Sequence, residues 1–329
     1  MKFINILKFF IFLSVGLFLF WLIYKDQDID VLKQNWQHTN YLWLGLSLVA
    51  GLLSHVIRAL RWQKMVQPFG YRPRFSNSFF AVMSTYFANL AVPRLGEVTR
   101  PTILKKYEGI PFSTSFGTIV LERLIDLFIL FLLTIILFLT QTKVFIDFIN
   151  NNPDVRNYIE AKINSWLLPV FGAIFLLSIA LLLIFRKKIK QSVLYQKIGH
   201  KIHDFLQGVQ SFRKLKQPFL FVFYTLLIWV LYFLLTYLPV FAFESTKDIS
   251  VWGGLAFFVI GSYGMVAPVQ GGIGAWHFMV AGTLIVIGIN DQDARAFALI
   301  VHAAQTIMLL VVGTITTILL PVFNHKNKG

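Results

Sequence analysis

Arg94, Glu97 and Arg100 stand three residues apart in the stretch NLAVPRLGEVTRP, Asn89 to Pro101. If Gly96 opens a helix, that spacing places the three on one face. Two guanidiniums so placed can hold the oxygens of one phosphate, while Glu97 orients an arginine or meets a cationic headgroup. Further along, Glu122, Arg123 and Asp126 interrupt the apolar run IVLERLIDLFILFLLTIIL. Glu122 and Asp126 are one helical turn apart, and Arg123 reaches Asp126 at three residues. Each charge costs about 2.5 to 3.5 kcal/mol in lipid on insertion scales, so the group should face a partner or a cavity. Arg94 or Arg100 is the natural partner. Direct ligand contact and a structural ion-pair lock both stay open.

Other polar residues carry weaker signals. His55, Arg58, Arg61 and Trp62 fall in SHVIRALRWQKM. Arg58 and Arg61 lie one turn apart near the end of a span, where snorkelling toward headgroups is the ordinary reading. His277 and His302 are isolated in apolar surroundings and are expected to be hydrogen-bonded packing residues instead of metal ligands. The chain has no cysteine, which excludes disulfides and thiol chemistry. No nucleophile elbow, phosphate-binding loop or zinc motif is present, so no metal and no cofactor are expected.

The elements that must position these groups are membrane helices. Of the 329 residues, 57% are hydrophobic and 34 are Phe, with a mean hydropathy of +0.68. An all-α polytopic membrane protein follows, with about 7–9 hydrophobic segments. Plain spans are predicted at about 6–24, 41–57, 114–140, 166–185, 218–243 and 296–320. Lys2 and Lys8 ahead of the first run resemble a secretory signal, but KDQDID follows in place of a small-residue cleavage site. An uncleaved first span is expected. The net charge of +15 is spread in short clusters between spans, which suits anionic lipid headgroups and excludes nucleic acid as the expected partner.

Two apolar stretches are interrupted: 78–93, which runs into Pro93, and 252–289, broken by APVQGGIGAW at 267–276. Basic residues at 58–74 and 186–217 predict a cytoplasmic side. The segments 25–40 and 141–165 mix acids with few bases and should face outward. The N-terminus is then cytoplasmic, and 78–93 must enter and leave on one side as a re-entrant segment, because Lys105 and Lys106 also belong in the cytoplasm. Residues 195–216 read as an amphipathic helix on the cytoplasmic face, most simply a connector.

The two interruptions echo each other. Pro93 and Gly96 match Pro268 and Gly271, the second followed by Gly272 and Gly274 and preceded by Gln270. Glu122 and His302 occupy similar places in the spans downstream. Matching broken segments in two halves of a membrane protein point to a central site between inverted repeats, here about 41–140 and 218–320 of one membrane domain, joined at 186–217. A break at depth frees backbone N–H groups that suit a phosphate or carboxylate.

Taken in order, RALRW (58–62), NLAVPRLGEVTRP (89–101), LERLID (121–126) and PVQGGIGAW (268–276) give the chain a resemblance to the flippase-like membrane domain of the lysylphosphatidylglycerol synthase family, over essentially its whole length. The resemblance implies lipid handling in a bacterial or archaeal cytoplasmic membrane: translocation of a phospholipid or a polyprenyl-phosphate-linked lipid. An alternative is a membrane subunit or intramembrane enzyme of glycolipid or aminoacyl-phospholipid synthesis, beside a partner synthase or glycosyltransferase. His277 stands where relatives tend to carry an acidic residue, which bears on the headgroup preferred. The synthases continue into a catalytic domain where this chain reads NHKNKG, so lysyl transfer is not expected of it. No ATP motif is present, and movement would be passive or coupled to an ion gradient.

Overall fold

In the computed structural model, residues 2–142 and 215–325 are described. The expected span at 166–185 and the amphipathic segment at 195–216 lie almost wholly outside them. Every regular element among the described residues is helical: α1 (Lys2–Tyr24), α2 (Ile29–His38), α3 (Tyr41–Val66), α4 (Phe75–Ala91), α5 (Gly96–Glu108), α6 (Phe112–Thr140), α7 (Pro218–Tyr237), α8 (Val251–Val266), α9 (Ala275–Val286) and α10 (Asp291–His325). Four of these, α3, α6, α7 and α10, with short 3-10 extensions on α3 and α7, are long and apolar enough to cross a membrane. Leu124, Leu127, Phe128, Phe131, Phe138 and Leu139 of α6 are exposed, as an acyl-chain environment requires of a spanning helix. The chain is a multi-pass α-helical membrane protein.

Two departures from the expected segments have physical causes. The predicted span 41–57 runs on to Val66, because Arg58 and Arg61 are buried and paired within the bundle instead of marking its edge. The 25–40 segment holds a helix, α2, whose N-terminus is capped by Asp28 accepting from the Asp30 N–H at 2.8 Å, a preferred N-cap geometry.

The interrupted segments form two helical hairpins. After α4, residues Val92–Leu95 turn the chain and α5 returns along α4. At the tip, a Cβ on Gly96 would collide with the Thr85 carbonyl oxygen and methyl, so only glycine permits this approach. At the base, Asn77 donates to the Glu108 carboxylate. The 17 residues of α4 rise about 25 Å, short of the roughly 30 Å of a hydrocarbon core. In the second hairpin, α8 and α9 flank a break in which Gly271, Gly272 and Gly274 have φ of 56°, 81° and 78°, values that suit glycine. A Cβ on Gly264 would lie 2.8 Å from Trp276 Cα, one on Gly261 2.8 Å from Val280 Cγ2, and one on Gly253 3.4 Å from Ile287 Cδ1. These three approaches run in reverse order along α9, so α8 and α9 are antiparallel.

The long helix α10 orders the two hairpins. Asn324 near its C-terminal end bonds Asn77 at the base of the first hairpin, with Asn324 Nδ2 donating at 2.8 Å. A Cβ on Gly313 would fall 2.7 Å from Phe87 Cβ near that hairpin's tip. His302 Nε2 lies 3.0 Å from the Gly271 carbonyl at the tip of the second hairpin, whose base adjoins the start of α10. The hairpins therefore point at each other along one helix, and their tips touch: a Cβ on Gly271 would lie 2.7 Å from Leu90 Cδ2. The helix α1 braces the second tip, where a Cβ on Gly274 would strike the Gly16 carbonyl oxygen.

Gly96→Ala is expected to destabilise the chain by about 1–3 kcal/mol through overpacking against Thr85. Gly282→Ala, at an exposed α9 position with nothing within 4 Å of its added methyl, should be neutral or stabilising by up to about 1 kcal/mol. Thermal unfolding in detergent checks the contrast.

Candidate functional site

Behind the tip of the first hairpin, α3, α5 and α6 bring five charged side chains together. Arg58 on α3 is paired with Glu122 on α6 through Nη1, reaches Asp126 Oδ2 at 2.9 Å and donates from Nε to the Tyr232 hydroxyl at 3.0 Å. That hydroxyl lies 3.1 Å from the Tyr86 hydroxyl of α4. One turn on, Arg61 meets Asp126 Oδ1 at 3.0 Å and Glu122 Oε1 at 3.5 Å. Arg100 on α5 donates from Nη1 to Glu122 Oε2 at 3.0 Å, and its guanidinium carbon sits 5.1 Å from the Trp62 ring centroid. Trp62 is itself held by donation from Nε1 to Thr118 Oγ1 at 3.0 Å.

These groups are out of water. Arg58, Arg61, Arg100 and Glu122 are all at most 2% exposed, which makes each unpaired charge costly. Local helix geometry delivers the arrangement. Residues 58 and 61 are one turn apart on α3, and 122 and 126 one turn apart on α6, so two guanidiniums face two carboxylates across a helix pair. The third guanidinium comes from α5, which reaches the site only because the break folds the chain back. Three guanidiniums against two carboxylates leave an excess of one positive charge.

Several sequence expectations change here. Arg58 and Arg61 do not snorkel; they are interior partners of Glu122 and Asp126. Glu122 is joined to Arg100, one of its two expected partners. Asp126 takes its ion pairs among the described residues from Arg58 and Arg61, not from Arg123, which is half-buried nearby. The one-face alignment of Arg94, Glu97 and Arg100 is not adopted. Arg94 lies in the turn at φ 61° with its side chain exposed, Glu97 is half-exposed and Arg100 is buried. Left-handed backbone at a residue with a Cβ costs of order 1–2 kcal/mol.

The backbone N–H groups expected to be free at the start of α5 are all occupied. The Gly96 N–H donates to Asn89 Oδ1 at 2.7 Å, that of Glu97 to the Arg94 carbonyl, and those of Val98 and Thr99 to the Leu95 carbonyl. Asn89 therefore caps a helix. Pro93 is half-exposed between it and Gly96.

At the second tip, Pro268 is exposed while Gln270, Gly272 and Gly274 are buried. His277 Nδ1 accepts from the Gly274 N–H at 3.2 Å, and its ring centroid is 4.5 Å from that of His302. Both histidines thus bond the backbone of the break, as packing residues do, and stand beside each other. Phe20 and Tyr24 of α1 complete the cluster at 5.4 and 5.6 Å from the His277 ring. No group of three potential metal ligands occurs among the described residues. Tyr86, Tyr232, Thr118 and Thr225, the last of which accepts from Arg61 Nη1 at 3.4 Å, also belong to the region of the charged cluster; a hydroxyl within an apolar run was the only sequence signal they offered.

Residues 5–313 match the family model described as the lysylphosphatidylglycerol synthase TM region. The chain belongs to that family. It is 30% identical over 153 residues to a UPF0104 membrane protein of Methanocaldococcus jannaschii, a match covering 45% of this chain and 40% of the relative. The chain thus spans less than half the length of the curated relative it matches. No solved structure matches it.

Glu122→Gln should lower stability by about 3–5 kcal/mol, the usual loss when one partner of a buried ion pair is removed. Asp126→Asn should cost less, because its side chain is 14% exposed and serves two guanidiniums where Glu122 serves three. Unfolding of both variants by titration with a denaturing detergent gives the order.

Proposed function

We propose that this member of the lysylphosphatidylglycerol synthase TM-region family binds a lipid headgroup where its two hairpin tips meet and carries it across the cytoplasmic membrane. The observation that carries this reading is the tip-to-tip contact of Leu90 with Gly271, together with a buried cluster behind the first tip that has an excess guanidinium. Broken segments that meet from opposite directions are how transporters with inverted repeats build a site near the bilayer centre. We read α4–α5 and α8–α9 as re-entrant hairpins of two such repeats. Their turns are then tolerable at depth because protein, not lipid, surrounds them.

The distribution of charge supports an orientation. Lys64 and Gln217 bond at 3.0 Å at the end of the bundle that holds Arg72, Arg74, Lys105, Lys106 and the C-terminal part of α10. The opposite end carries Asp26, Asp28, Asp291 and Asp293, joined there by the Gln292 side chain accepting from the Asp28 N–H at 2.9 Å and by Asn35 Nδ2 donating to Asp293 at 2.9 Å. By the positive-inside rule the first end is cytoplasmic, with the start of α1 and the end of α10 on that side.

Within the site, exposed Arg94 and half-exposed Glu97 stand at the first tip where a headgroup would arrive, and the buried cluster lies behind them. In liposomes carrying labelled phospholipid or polyprenyl-phosphate lipid, the chain is expected to accelerate headgroup translocation. Arg94→Ala and Glu97→Ala should each slow it by about tenfold, the effect of losing one contact of about 1.4 kcal/mol. Product formation without translocation would favour an enzymatic role instead, and unchanged translocation in both variants would remove the tip from the site.

A further inference from the structure

Arg100 is less well satisfied than any other member of its cluster. Its Nη1 holds Glu122, but Nε and Nη2 are both buried and have no hydrogen-bond partner among the described residues. These two atoms form one edge of the guanidinium, the side-on fork whose parallel N–H bonds fit two oxygens of a carboxylate or phosphate. A buried donor with no partner costs about 1–3 kcal/mol, more when charged. Here two such donors belong to a residue only 2% exposed. Arg61 Nε, in the same cluster, also has no hydrogen-bond partner among the described residues.

The charge balance agrees with the geometry. Arg58, Arg61 and Arg100 exceed Glu122 and Asp126 by one positive charge, and Arg123 adds to the positive field at Arg100. One more anion would offset part of this positive charge and fill the fork at once. The Trp62 ring supports the guanidinium from one face, and Nη1 is anchored by Glu122, so the open edge is held in a fixed direction. Preorganised donors of this kind bind with little loss of rotamer freedom.

We infer that the Nε/Nη2 edge of Arg100 is the binding site for one phosphate-type oxyanion, either the phosphodiester of a lipid headgroup or a free phosphate. The inference rests on the reading of this region as a headgroup site and assigns the edge that would hold its phosphate. It replaces the helix N-terminus of α5 as the phosphate holder, since the N–H groups of that first turn are already taken. Both fork atoms are shielded, so the anion reaches them when α5 shifts against its neighbours. Two features of α5 provide the give: it is entered through the Val92–Leu95 break, and Pro101 in its interior lacks the N–H of a helix bond.

The test uses the full chain purified in a neutral detergent, titrated calorimetrically with inorganic phosphate and, separately, with a short-chain phosphatidylglycerol. Arg100→Lys keeps a positive charge opposite Glu122 but has no fork. The wild type should bind at least one probe saturably, and Arg100→Lys should bind it at least tenfold more weakly. Binding of the lipid without binding or competition by phosphate assigns the fork to a headgroup; binding of phosphate alone assigns it to a free anion; both outcomes support the oxyanion site. No binding of either probe by the wild type, or equal binding by Arg100→Lys, overturns it. If Arg100→Lys does not yield a monodisperse chain, the wild type labelled with 15N-arginine decides: one exchange-protected Nε–H resonance should move on adding the probe, and no movement overturns the site. Loss of binding in Arg100→Lys with no translocation by the wild type in liposomes would leave this inference standing and remove the transport reading. Normal binding by Arg100→Lys with translocation that depends on Arg94 would do the reverse.

Discussion

A carboxylate inside a helical bundle is tolerable only if its oxygens are met by cations, and Glu122 is met by three: Arg58 and Arg61 from α3 and Arg100 from α5. The desolvation of such a group costs several kcal/mol, repaid only when the geometry is good. Meeting that condition constrains the rest of this half of the molecule. α3 must continue past residue 57 to bring in Arg58 and Arg61. α5 must turn back along α4 to bring in Arg100. Gly96 must be glycine so that α5 can close on Thr85. The ion cluster and the broken hairpin are thus one device seen from two sides.

The second half solves its break differently. Its three glycines adopt left-handed backbone, and two histidines fasten the turn, His302 through the Gly271 carbonyl and His277 through the Gly274 N–H. The neutral hydrogen bonds there contrast with the charged cluster opposite. The tips that meet at Leu90 and Gly271 are therefore chemically unlike, one backed by excess positive charge and the other by imidazole and aromatic rings. An anionic headgroup between them would be held from the arginine side.

Much of this was legible in the residues. Composition gives the membrane class, and five of the six plain spans appear as helices, the sixth lying outside the described residues. Pro93 with Gly96 and Pro268 with Gly271 mark the two breaks, and the polar run at 122–126 marks the cluster. What could not be read is which arginines meet those acids. Helical spacing relates neighbours on one helix, whereas Glu122 and Arg58 are 64 residues apart. A charge near a span's end looks the same whether it snorkels or turns inward, and Arg58 and Arg61 turned inward. The one-face alignment of Arg94 with Arg100 failed because a helix rule was extended across a turn, and the free N–H groups because Asn89 reaches forward to cap Gly96.

Determination of the structure in nanodiscs containing phosphatidylglycerol tests the central claim most directly. Headgroup phosphate density within about 2.7–3.2 Å of Arg100 Nε and Nη2 is the expected result. Ordered headgroups found only on the outer surface of the bundle, with the Arg100 edge filled by water or by a protein group, would contradict it.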